Sequence, residues 1–148
     1  MAHSYSHIVQ YYETDKMGIA HHSNYIRWME EARVDLLSEI GWDYARLESL
    51  GVFSPVTAVE CRYRRSCTFS DTVHISITVE SFSGVRLRLQ YAMTAADGTL
   101  LCEASSEHAF LDAAGRPLRM NRAYPEFYAI LCEMIEDGKT ATEAEAAH

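Results

Sequence analysis

The chain has 148 residues, 48% of them hydrophobic, enough for one domain with a real core. A formal net charge of −8 excludes a general nucleic-acid surface. No apolar run approaches the roughly 18 residues of a membrane helix.

Residues 5–12 (YSHIVQYY) predict a first strand, aromatic and β-branched. A loop holding Gly18 follows, and Ser23 or Asn24 is expected to cap the next element. From Tyr25 the apolar positions Trp28, Met29, Ala32, Leu36 and Ile40 keep helical spacing, so a helix of about 16 residues is expected, stopped at Gly41. Residues 41–51 read as a connection. The pattern then changes to period two. Strands are predicted over 52–65, 72–82, 85–95 and 99–111, with Val73, Ile75, Ile77 and Val79 on one face and Val85, Leu87, Leu89, Tyr91 and Met93 on another. Ser83-Gly84 and Asp97-Gly98 supply hairpin turns, and residues 113–117 a further one. Residues 124–136 predict a short terminal helix. The domain is expected over 1–137, with 138–148 a flexible polar tail.

This order, one long helix and several antiparallel strands, predicts an α+β fold in which a curved sheet wraps the helix. An open sheet edge and some uncovered face then favour a homo-oligomer. The N-terminus lacks the basic-then-apolar layout of a signal peptide, so the cytoplasm is the expected compartment. Cys61, Cys67, Cys102 and Cys132 form no C-x-x-C and no zinc spacing, and are expected to be reduced and structural.

The segment YETDKMGIAHHSNY (12–25) carries the chemistry. Asp15 sits on a turn ahead of a helix start, where free N–H groups can hold a developing oxyanion. Taken alone, Asp15 closing an Asx-turn is the simpler explanation. His21-His22 has no acidic partner at ligand spacing, so no metal is expected. Basic charge is almost entirely arginine, and eight of the eleven arginines lie between 62 and 122. Guanidinium forks suit phosphate oxygens, although a solvated strand face explains any one of them.

Tyr12, Thr14-Asp15, Gly18, His22, Asn24-Tyr25, Glu30 and Ala32-Arg33 stand in register across this strand, loop and helix. With Phe69-Ser70-Asp71 and Arg116-Pro117, they make the chain resemble the hotdog-fold acyl-CoA thioesterases. The branch is that of 4-hydroxybenzoyl-CoA thioesterase and the small thioesterases linked to the Tol–Pal system. The resemblance implies hydrolysis of an acyl-CoA to free acid and CoA, with no cofactor beyond coenzyme A as part of the substrate. It also implies a dimer or tetramer with sites at the subunit junction; no nucleic-acid partner is expected from the charge, and no membrane span from the lack of a long apolar run.

By the same resemblance Asp15 is the catalytic carboxylate, either attacking the thioester or activating water. The His22 backbone N–H polarises the thioester carbonyl, and Gly18 allows the turn or close substrate approach. Tyr25 positions the helix start. Glu30, where hydroxybenzoyl relatives carry Asp, favours an aliphatic acyl group. Arg62, Arg64, Arg65, Arg86, Arg88 and Arg116 are candidates for CoA contact. Glu30 has an alternative, an exposed pair with Arg33. Release of acyl chains from an acyl carrier protein, and a non-catalytic acyl-CoA-binding module, are the competing functions. A hydratase is disfavoured, because hotdog dehydratases pair a His with an acidic residue across the interface.

Overall fold

The computed structural model describes residues 2–146, with side chains through residue 135. The elements in order are β1 (His3–Ile8), a 3-10 turn (Tyr11–Glu13), α1 (Ser23–Glu39), α2 (Tyr44–Ser49), β2 (Val56–Tyr63), β3 (Thr72–Phe82), β4 (Arg86–Thr94), β5 (Leu100–Ala109), α3 (Met120–Ala123) and α4 (Pro125–Ala146). The strands form one antiparallel sheet in the order β1-β3-β4-β5-β2.

The period-two strands bury one face. Val73, Ile75, Ile77 and Val79 of β3 and Leu87, Leu89, Tyr91 and Met93 of β4 are all 5% exposed or less, while Arg86 and Gln90 face out. A register shift between Val79 and Ser81 returns Phe82 to the inner side, where it meets Phe110 at 5.5 Å between ring centroids. Helix α1 lies on this face through Trp28, Met29, Ala32, Leu36 and Leu37. Both sheet edges reach the same helix. From β1, Tyr5 and His7 hydrogen-bond Glu31. From β2, the Tyr63 hydroxyl donates to the His22 carbonyl at 3.0 Å, and Cys61 Sγ lies 3.6 Å from Met29 Sδ. A sheet whose two edges touch one helix is curved around it.

Several boundaries differ from expectation. The first strand ends at Ile8, because Tyr11–Glu13 turn to place Glu13 inside. The predicted connection contains α2, capped by the Asp43 carboxylate, which accepts from Arg46 N at 2.9 Å. The residue at the N-cap of α1 is His22, with no side-chain cap. Ser23 and Asn24 are helical, and Asn24 instead donates backward to the Glu13 carbonyl at 2.8 Å. The terminal helix α4 packs Phe127 on Trp42, Phe82 and Phe110. It runs on to Ala146, through most of the segment expected as a polar tail. The side chains of that segment, and residues 147–148, lie outside the described residues. No described helix is long and apolar enough to cross a membrane.

Candidate active site

A cavity of about 330 Å³ opens between the 14–20 loop, the start of α1 and the end of β2. Asp15, His22, Tyr25, Tyr63, Arg64 and Arg65 line it. The loop is a closed turn. Thr14 pairs with Ala20 in an antiparallel bridge, and Asp15 N donates to Ile19 O and Gly18 N to Asp15 O, both at 2.9 Å. Gly18 has φ +78° with open space around its α-carbon, so the left-handed backbone, not a close neighbour, calls for glycine. The Gly18 carbonyl accepts from Thr68 Oγ1 at 2.7 Å, and Ala20 N donates to Cys67 O at 2.8 Å. These bonds pin the loop to the segment before β3.

Asp15 does close an Asx-turn: Met17 N donates to its Oδ1 at 2.8 Å. The turn occupies one oxygen only. No donor among the described residues takes Oδ2, so the carboxylate is oriented by one oxygen and available through the other.

The His22 N–H likewise has no acceptor among the described residues. It belongs to the peptide plane shared with the His21 carbonyl. That carbonyl accepts from Asn24 N at 3.1 Å and from Asn24 Nδ2 at 3.2 Å. In a trans peptide the N–H points opposite to the C=O, so Asn24 aims the His22 N–H by holding the other side of the plane. The next carbonyl, that of His22, is held by Tyr63, so two successive peptide groups at the helix start are fixed. The His21 and His22 rings lie against one another, with centroids 4.1 Å apart.

Glu13 supports this frame from inside. Its carboxylate is 5% exposed and accepts from Trp28 Nε1 at 2.7 Å, Gln10 N at 2.8 Å and His7 Nε2 at 2.7 Å. Burial alone would raise the carboxyl; the Gln10, His7 and Trp28 donors outweigh it and hold the group below the usual carboxylate range. The Glu13 carbonyl accepts from His21 N and Asn24 Nδ2, both at 2.8 Å. Sequence reasoning missed both Glu13 and Tyr63. The available signal was an acidic residue two before Asp15, with Trp28 one helical face away.

The other expected residues divide. Tyr25 lines the cavity, 3% exposed, its hydroxyl 3.4 Å from Cys67 Sγ and pushed up by burial. Arg64 and Arg65 line it too, with Arg64 also bonded to Glu103 at 2.8 Å. Arg62 and Arg88 instead lie on the outer sheet face, Arg62 on Glu60 at 3.0 Å and Arg88 on Glu80 and Glu107. Arg116 sits in the turn after β5, 3.4 Å from Asp112. Within one chain these three arginines are not brought to Asp15. Glu30 is exposed further along α1 and away from this cavity; its expected partner Arg33 is buried on His108. Among the described residues His3, Asp35 and Glu39 stand at metal-ligand spacing, but each His3 nitrogen already faces a carboxylate, at 2.7 and 2.6 Å.

Residues 9–142 match the thioesterase-like superfamily. The chain is 31% identical over 121 residues to the acyl-CoA thioesterase candidate YneP of Bacillus subtilis (strain 168), covering 81% of this chain and 88% of that protein. It is 28% identical over 119 residues to the acyl-CoA thioester hydrolase YbgC of Escherichia coli O157:H7, covering 80% and 86%. The crystal structure of a DHNA-CoA thioesterase from Staphylococcus aureus superposes with a TM-score of 0.83 at 29% identity, over 98% of this chain and 95% of that one.

Proposed function

Because this chain belongs to the thioesterase-like superfamily of hotdog-fold thioester hydrolases, we propose that it hydrolyses an acyl-CoA to free acid and CoA at the cavity between the Asp15 loop and α1. The observation that carries this reading is the pairing, in one cavity, of a half-held carboxylate with an unshared N–H at a helix start. A thioester needs both. Its carbonyl lacks strong amide resonance, so it yields to a nucleophile once its oxygen is stabilised. The His22 N–H, at the positive end of α1, takes that oxygen, a contact of a kind whose loss costs about 10²–10³ in rate.

Asp15 Oδ2 acts on the carbonyl carbon or on a water beside it. In the first route Oδ2 bonds to carbon, the C–S bond breaks, CoA leaves as thiolate, and water opens the mixed anhydride. In the second, Oδ2 accepts a proton as water attacks. Label on Asp15 after a single turnover in ¹⁸O-water establishes direct attack, with water opening the anhydride at the Asp15 carboxyl carbon, because base catalysis places all of the label in the product acid.

Arg64 and Arg65, which line this cavity, are the arginines we assign to the CoA phosphates. A homo-oligomer formed along β2 fits the rest. This edge strand is exposed on both faces, with Val56, Val59 and Tyr63 at 48%, 40% and 46%. Mass by light scattering tests it. Thiol release from a panel of acyl-CoAs tests the function: the account expects turnover of at least one ester, and saturable binding without turnover across the panel would replace it with a binding module.

A further inference from the structure

A second cavity, of about 180 Å³, lies between α1 and the inner face of β2 and β5, one helical turn beyond Tyr25. Its outer walls are apolar and half-open: Ile26, Val56 and Val59 are 40–48% exposed. Its inner end is polar and closed. Arg33, Ser106 and His108 are 8%, 4% and 2% exposed, and Tyr91 is 3% exposed.

The proton positions at that inner end follow from chemistry. A guanidinium only donates, so His108 Nδ1 accepts from Arg33 Nη1. Burial, with the Arg33 charge second, holds His108 down to about 3, so the ring is neutral and its one proton sits on Nε2. Nε2–H then donates to Ser106 Oγ at 2.7 Å. The Ser106 and Tyr91 hydroxyls share one hydrogen bond at 2.7 Å, in which either is the donor. Arg33 and His108 both donate along this row, and two hydroxyls sharing one bond leave one proton over, that of Tyr91 or of Ser106. Arg33 Nε is buried with no partner, and no carboxylate among the described residues pairs with this guanidinium. Its other contact is the Tyr44 ring, 5.7 Å away. Buried charges are ordinarily paired. Donors and positive charge are in excess here; an anionic acceptor is what the site lacks. Glu30 also lines the cavity, but at its exposed end, where solvent screens it.

Resting on the thioesterase reading above, we infer that this cavity receives the far end of the acyl group, and that Arg33, with Tyr91 or Ser106, selects a short acyl chain ending in a carboxylate. A cavity of about 150 Å³ holds a benzene-sized group, so about six heavy atoms beyond the thioester carbonyl fit. A glutaryl group has that size, and 5-methylhexanoyl is its uncharged isostere.

The test compares kcat/KM for glutaryl-CoA and 5-methylhexanoyl-CoA. A hydrogen bond to a charged group predicts that wild type favours glutaryl-CoA by about tenfold to a hundredfold, and that Arg33→Met abolishes or reverses the preference. Should Arg33→Met fail to fold, calorimetric binding of the two esters to folded Asp15→Asn gives the same comparison. Equal or reversed preference in wild type overturns the inference and leaves the thioesterase reading intact; a carboxylate supplied to Arg33 by a second copy would give that result. Tighter binding of glutaryl-CoA with no turnover of any ester would overturn the thioesterase reading and leave the carboxylate site standing.

Discussion

Glu13 and Asp15 are carboxylates two residues apart, one ending the 3-10 turn and one in the loop after it, and the fold treats them oppositely. Glu13 is buried and saturated: Trp28, Gln10 and His7 each give it a donor. Asp15 is part-exposed, and a single donor, Met17 N, holds one of its oxygens. A carboxylate that is fully bonded stabilises the frame and has nothing left for a substrate. A carboxylate held by one oxygen is oriented and still reactive. The two roles are thus distinguished by hydrogen-bond partners, not by residue type.

Breaking each side of this contrast has a distinct signature. Asp15→Ala should lower kcat/KM for thiol release by about 10²–10⁴ while Tm stays within a few degrees. Glu13→Ala leaves the buried Trp28 donor and the part-buried His7 and Gln10 donors without their acceptor; thermal melting should show a loss of about 3 kcal/mol, roughly 10 °C for a chain of this size. Asn24→Ala removes the Nδ2 bonds to the Glu13 and His21 carbonyls and leaves the peptide plane that carries the His22 N–H held by the residue-24 backbone N–H alone; steady-state kinetics should show kcat reduced about tenfold with KM little changed. Tyr63→Phe removes one hydrogen bond to the His22 carbonyl, worth about 1 kcal/mol, and should cost a few-fold in kcat.

Acid sharpens the contrast further. Glu13 titrates lower in the folded chain than its ordinary 4.5. Its contribution to stability is therefore complete above about pH 4.5 and is lost as pH falls through the lower folded value. Acid melting curves of wild type should show that component, and those of Glu13→Gln should lack it.

The sheet and α1 were legible because burial imposes period two on β3 and β4 and helical spacing on Trp28, Met29, Ala32 and Leu36. The Asp15 loop was legible through its motif. What was hidden depends on long-range partners. Arg33 reads as a surface residue beside Glu30, yet helical geometry puts it on the same face as Met29 and Leu36, and β5 happens to offer His108 there. Tyr63 reads as one more strand aromatic until the end of β2 brings it to His22. The arginines looked like one patch in sequence. Strand alternation sends Arg62 and Arg88 to the outer face, whereas Arg64 and Arg65 lie beyond the end of β2, where the chain turns toward the loop. Helix α2 was missed because six residues give too little periodicity to register, although Asp43 was a usable cap signal.

The most direct measurement converts each carboxylate to its amide and records thiol release and Tm together on the best acyl-CoA of the panel. Asp15→Asn should lose at least about a hundredfold in kcat/KM at unchanged Tm, and Glu13→Gln should lose more in Tm than in rate. Thiol release by Asp15→Asn at the wild-type rate would contradict the account.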